Sequence, residues 1–332
     1  MKKKYFLFLL KILLALFFLI YLFQTNKLDF KRVGTAFSQW GWVVTAFFLI
    51  GISISISIFR WQLLLRAQGI RIPYFKVLKL SFIGFFFNIF MPGAVGGDFI
   101  KAYYIAKKQE KKKTAAVTSV FVDRLVGLFS LLLLAALFVL GNIDFFLSQK
   151  KFQIFLFSLF IVVGVALLCG LIFLFFPLPF QEKDIRHFSL LKRILYQIYE
   201  SIHGYQRKSI YLIIGILLSL VAHILTVTAC YGLGQALGES QIQWGLYYSL
   251  FPVGMVIQAI PISFGSWGFG EMIFQSLFDL AHPLGEKSQG ANICFLWHLL
   301  LTLWNLLGIV FYLEEKAEVD RLIEVEESLS PS

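Results

Sequence analysis

The chain reads as all-α: a polytopic membrane helix bundle of about eight spans, two of them broken or re-entrant hairpins in inverted orientation. Three observations predict this. Hydrophobic residues fill 58% of the 332 positions, 38 of them Phe, and mean hydropathy is +0.78, a composition that belongs to integral membrane proteins. Apolar runs of 17 or more residues recur along the chain, the length needed to cross about 30 Å of hydrocarbon. Two further runs are interrupted, one at Met91-Pro92-Gly93-Ala94-Val95-Gly96-Gly97-Asp98 and the other at Pro261-Ile262-Ser263-Phe264-Gly265-Ser266-Trp267-Gly268-Phe269-Gly270-Glu271. Backbone that leaves the helix at membrane depth must be buried in protein or line a watery cavity, because hydrocarbon offers its amides and carbonyls no partner.

Taken in order, the first apolar segment, Tyr5 to Phe23, follows three lysines as a signal peptide would. Bulky Tyr21-Leu22-Phe23-Gln24 stands where small cleavage-site residues belong, so the segment is expected to remain as a helix. A second span covers 41–59, with Ser53 and Ser57 on one face. Trp40, Trp42, Trp61 and Trp244 fall at span ends, where indole rings favour the interface. The interrupted segment 77–106 comes next, followed by continuous spans at 115–140 and 152–176. Between Phe188 and Ile202, apolar residues recur at helical spacing opposite Lys192 and Arg193, the pattern of an amphipathic helix lying on the membrane surface. Spans follow at 210–236 and 290–313, flanking the second interrupted segment, 244–280. Ser219, His223, Thr226 and Cys230 mark a polar face on one of these spans, and Cys294, His298 and Asn305 do so on the other. Such faces turn inward and bond across helices. The division is a transmembrane domain over 1–313 and an acidic, solvated tail over 314–332.

Charge sets the orientation. With the amino terminus in the cytoplasm, the stretches 2–4, 60–79, 101–113 and 177–209 hold 20 Lys and Arg; the opposite loops hold 6. The positive-inside rule therefore predicts a multi-pass protein of the cell (cytoplasmic or inner) membrane with both termini cytoplasmic. Basic flanks on both sides of 77–106 make that segment a hairpin from the cytoplasmic face, and the charge-poor flanks of 244–280 make it a hairpin from the outer face. Opposed broken hairpins are a recurring transporter design, with the substrate site at the bilayer midplane. The net charge of +11 lies in loops rather than on one soluble face, so no nucleic-acid partner is expected. Cys169, Cys230 and Cys294 sit in apolar runs without disulfide or metal-type spacing, and no zinc, Walker, nucleophile-elbow or dinucleotide motif is present. No cofactor, metal ligand or catalytic residue is expected.

Asp98, Asp123, Arg124 and Glu271 are the intramembrane charges, and each at the centre of a span would cost roughly 2.5–3.5 kcal/mol, which makes each a functional candidate. A helix begun at Thr114 carries Asp123 about 13 Å along its axis, near the bilayer midplane. Asp123 and Arg124 point about 100° apart and must find separate partners; for Arg124 these are Asp98 or Glu271. Asp98 opens a helix start with Lys101 one turn on, where its carboxylate can cap free amides, and the preceding glycines let backbone approach an anion. Glu271 stands in the same relation to Gly268 and Gly270. A packing role is the expectation for His223 and His298, with proton coupling the alternative.

Pro92-Gly-Ala-Val-Gly-Gly-Asp98, then Ala116-Val-Thr-Ser-Val-Phe-Val-Asp123-Arg124-Leu-Val-Gly127, then Pro261-Ile-Ser-Phe-Gly265 leading to Gly268-Phe-Gly-Glu271, resembles the flippase-like transmembrane domain of the lysylphosphatidylglycerol synthase family over nearly the whole chain. The resemblance implies about eight helices with re-entrant elements and an association with moving lipids between leaflets. The soluble aminoacyl-transfer domain of full-length synthases has no room before Ser332, so aminoacylation is not expected. Ser266-Trp267 also departs from the family's Gly-Gly-x-Gly-x-x-Glu pattern. The expected substrate-binding set is Pro92, Gly93, Gly96, Gly97, Asp98, Lys101, Asp123, Arg124, Pro261, Ser263, Gly265 and Glu271. The expected function is lipid flippase or translocase, its partner a membrane lipid, either an anionic phospholipid or a polyprenyl-linked one. The alternative is a membrane-embedded transferase acting on a lipid or polyprenyl phosphate.

Overall fold

The computed structural model describes residues 13, 16–25, 27–90, 96–107, 109, 112–148, 150–175, 199–258, 266–282 and 288–315. Among them every regular element is helical: α1 (16–24), α2 (Phe30–Ala36), a short 3-10 turn, α3 (Trp40–Ala67), α4 (Tyr74–Phe90), α5 (Gly96–Lys107), α6 (Lys113–Gly141), α7 (Ile143–Ser148), α8 (Lys150–Phe175), α9 (199–206), α10 (Ser209–Ala236), α11 (Trp244–Gln258), α12 (Phe269–Ala281) and α13 (Gly290–Leu306). Four helical stretches, Phe30–Ala67, Lys113–Gly141, Ser209–Ala236 and Gly290–Glu315, are long and apolar enough to cross a membrane. The all-α polytopic bundle expected from composition is the observed architecture. The centres of both interruptions, 91–95 and 259–265, lie outside the described residues, and with them Pro92, Gly93, Pro261, Ser263 and Gly265. The same holds for most of the expected amphipathic helix and for the tail from 316 onward.

These helices sort their side chains by size and polarity. On α6, Val117, Phe121, Leu125 and Leu128 are exposed and follow one another at helical spacing, while Thr118, Ser119, Asp123 and Ser130 are buried on the other side. A helix that turns large apolar groups outward and small or polar ones inward suits a surrounding of lipid tails, which give no hydrophobic drive to bury Leu or Phe. Bonds across helices follow. Ser53 Oγ donates to the Ala222 carbonyl at 2.9 Å and lies 2.9 Å from Thr226 Oγ1, tying α3 to α10. Trp61 Nε1 donates to Ser119 Oγ at 3.1 Å, tying α3 to α6.

Helix α3 runs past the span end expected near residue 59 and continues to Ala67. Trp61 is therefore no interface residue; it is fully buried, whereas Trp40, Trp42 and Trp244 are exposed as expected. Arg60, expected to open the basic stretch 60–79, lies within the helix and is buried. A neutralising carboxylate on another helix lets it stay inside instead.

Each interrupted segment folds back on itself. At 12 residues α5 is about 18 Å long, too short to cross the hydrocarbon. It lies antiparallel against α4: Gly97 N–H donates to Asn88 Oδ1 at 2.6 Å, and Gly84 faces Gly97 and Lys101. Backbone touches backbone here, since a Cβ on Gly97 would collide with the carbonyl oxygen of Gly84. Helices α11 and α12 pair likewise, with Ser266 Oγ donating to the Gln258 carbonyl near the tip, Gly254 against Phe274 midway, and Tyr247 against Phe278 towards the base. Helix α13 is their common wall. The base of the first hairpin lies against the helical residues that continue α13 past a turn at Leu307 to Glu315, through Lys79 with Glu314 and Phe75 with Phe311. The base of the second lies at the amino end of α13, where Gln275 Oε1 accepts from the Ala291 amide at 2.9 Å. The two hairpins thus enter from opposite ends.

Replacing Gly97 or Gly308 by Leu is expected to destabilise the detergent-solubilised protein by about 1–3 kcal/mol or more, because both Cβ atoms would meet main chain of α4. Gly41→Leu, with nothing within 4 Å, should change little. Thermal unfolding checks this, and equal melting of all three variants would contradict the close-packed hairpin.

Candidate functional site

A cavity of about 370 Å³ opens between the tips of the two hairpins and helices α3, α6, α10 and α13. Asn88, Ile89 and Asp98 reach it from the first hairpin; Gln258, Ser266 and Trp267 reach it from the second. The flanks of both sequence interruptions therefore meet at one space.

Its charged wall is built around Asp123. That carboxylate is 6% exposed and accepts from Arg60 Nε at 2.8 Å through Oδ1; Lys101 Nζ lies 3.7 Å from Oδ2. Arg60, itself 7% exposed, also donates to Ser219 Oγ at 2.7 Å. The Lys101 ammonium sits 3.7 Å from the centroid of the Trp61 ring, so the indole buried by the long α3 supports the cation from below. Arg124, one residue along α6, points elsewhere and pairs with Asp98 at the start of α5. Breaking the buried Arg60–Asp123 pair by deleting one partner costs about 3–5 kcal/mol, because a charge remains without compensation.

A second polar group closes the far side. Glu271, fully buried, accepts from the Gly268 amide at 2.6 Å with one oxygen and from His298 Nδ1 at 2.9 Å with the other. The turn that delivers it has Ser266 at φ 65° and Gly268 at φ 76°. A left-handed serine is an uncommon conformation, held here by its own hydroxyl bond to Gln258.

Of the expected site residues, Gly96, Gly97, Asp98, Lys101, Asp123, Arg124 and Glu271 are described. Asp98, Lys101, Asp123 and Arg124 line the cavity together; Glu271 reaches it through His298, which does. Gly96 and Gly97 begin α5, and Gly97 serves close packing. Asp98 pairs with Arg124, one of its two expected partners, and the Gly97 amide at this helix start is taken by Asn88. Arg60 was missed, as were Asn88 and Gln258. Arg60 carried a usable signal: with Ser53 and Ser57 it lies on the face that an interior helix turns to its neighbours. His223 packs with its Nε2 3.1 Å from the Gly127 carbonyl, as expected of a structural histidine.

The family model for the lysylphosphatidylglycerol synthase TM region matches residues 8–308. The chain is 31% identical over 102 residues to the UPF0104 membrane protein MJ1595 of Methanocaldococcus jannaschii, covering 30% of each chain. It is 31% identical over 86 residues to the UPF0104 membrane protein PH1989 of Pyrococcus horikoshii, covering 25% of this chain and 26% of that one. The chain thus spans less than a third of the curated relatives it matches.

Asp123→Asn should lower unfolding stability in detergent by about 3–5 kcal/mol, since Arg60 and Lys101 both lose their countercharge. Denaturant titration of purified variants measures it. An Asn variant as stable as the parent would show that the pair does not hold these helices together.

Proposed function

The chain belongs to the lysylphosphatidylglycerol synthase transmembrane-region family, and from that premise we infer that it moves an anionic lipid between membrane leaflets. The observation that carries this reading is the charge of the cavity wall. Arg60, Lys101 and Arg124 face Asp98 and Asp123, so three cations meet two carboxylates among the described lining residues. The surplus of one positive charge matches a phosphodiester, which carries one negative charge. A headgroup phosphate entering between the hairpin tips shares the guanidinium of Arg124 with Asp98 and approaches Lys101, while its tails stay in lipid.

Such a wall lowers the barrier to transfer. An unpaired charge in hydrocarbon is strongly disfavoured, and a fixed cation near mid-depth replaces the water that the phosphate gives up. Two hairpins entering from opposite ends provide the two gates that alternating access requires, as in transporters whose broken helices meet at the midplane. Asp98 and Asp123 are each paired with a cation, which favours anion binding over base catalysis by a lipid transferase.

In proteoliposomes, fluorescent phosphatidylglycerol should cross faster than the zwitterionic choline lipid. Arg124→Ala and Lys101→Met should each slow the anionic lipid about tenfold or more, the effect of losing roughly 1.4 kcal/mol of charge-assisted binding. Dithionite quenching reads the rate. Unchanged transport in both variants, or equal rates for the two lipids, would remove the headgroup from this wall.

A further inference from the structure

One buried cluster of donors has no part in the lipid reading. Glu271 on α12 and Cys294 and His298 on α13 each offer a ligating atom, and the three atoms lie within 4.8 Å of one another. Cys294 and His298 stand four residues apart on one face of α13, with Cys294 Sγ 3.9 Å from either ring nitrogen. A fourth donor is at hand: Gln258 Oε1, at the end of α11, is buried without a hydrogen-bond partner. The missing side chain of Gly270 opens the space between them, since a Cβ there would lie 2.7 Å from Gln258 Oε1, 2.9 Å from His298 Cε1 and 3.5 Å from Cys294 Sγ. A buried acceptor left unpaired costs about 1–3 kcal/mol, and a bound ion is one of the few things that accounts for it.

We propose that Glu271, Cys294 and His298, with Gln258 Oε1 as the fourth donor, form a site for a borderline transition-metal dication of the zinc class. Mixed oxygen, nitrogen and sulfur ligands in a set of four suit such an ion, whereas magnesium and calcium take all-oxygen shells. Charge supports the choice. A carboxylate and a thiolate cancel the dication, so the filled site is neutral, as a site inside a membrane bundle needs to be. Binding releases the thiol proton of Cys294 to solvent and takes His298 in its neutral form. Glu271 binds through Oε1 while Oε2 keeps its bond to the Gly268 amide, which fixes the carboxylate's direction. The ion joins both arms of the second hairpin to α13. It does so on the cavity wall, to which Gln258 and His298 both contribute. None of this depends on which lipid, if any, the protein moves.

The probe is Co²⁺, added to the purified full chain in detergent after chelation. One bound equivalent by elemental analysis, with a thiolate-to-cobalt charge-transfer absorption, is the expected result. A Cys169→Ser/Cys230→Ser double variant, which leaves the proposed ligands intact, should keep both signals. Cys294→Ser should lose the charge-transfer absorption and His298→Gln the bound equivalent. Absence of the charge-transfer absorption from the parent or the double variant overturns the proposal, and so does its persistence in Cys294→Ser.

Discussion

A carboxylate shared by two cations inside a bundle of apolar helices is the interaction on which the rest of this structure turns. Asp123 holds Arg60 of α3 and Lys101 of α5 at once, and through them it joins the long helix pair α3 and α10 to the first hairpin. Without it Arg60 loses the carboxylate it is bonded to and Lys101 the nearer of its two, in a medium where isolated charge is strongly disfavoured. With it, a serine on α10 and an indole on α3 complete the surroundings of the two cations. One acidic side chain thereby sets where three helices stand and leaves Arg124, its neighbour in sequence, facing the cavity.

Glycine supplies the second constraint. Lipid tails do not drive apolar helices together, so close contact rests on shape and on polar bonds. Gly84 and Gly97 let α4 and α5 touch main chain to main chain, and Gly290 and Gly308 let α13 do the same with α12 and α4. Shallow helix surfaces at these four points bring the flanks of two distant sequence interruptions to a single cavity. Asn88 and Gln258 line the same space although 170 residues separate them in the chain.

Much of this could be read from the sequence. Apolar run length gave the helices, and loop charge gave two hairpins of opposite entry, because both signals are local and accumulate over many residues. Asp98 with Arg124 was open to inference because few intramembrane charges exist and each needs a partner. Arg60 was harder to place: it sits where an apolar run shades into basic residues, so its position on the face of Ser53 and Ser57 was the one sign that the helix continues, and the pairing with Asp123 supplies the reason. Trp61 went astray with it, taken for an interface residue when it lies beneath Lys101. The donors around Gly270 follow no recognisable spacing, since Gln258, Glu271, Cys294 and His298 come from three helices and only the last two share a face.

Helix α13 has a property that its apolar composition conceals. From Gly290 to Glu315 it is one 26-residue helical stretch with a single turn at Leu307, and the two hairpins are seated at its opposite ends through glycines that tolerate no added atom. A wall shared by both hairpins couples them: a shift of the seat at Gly308 bears on the helix that also carries the seat at Gly290. Alternation of the two gates therefore runs through one common helix.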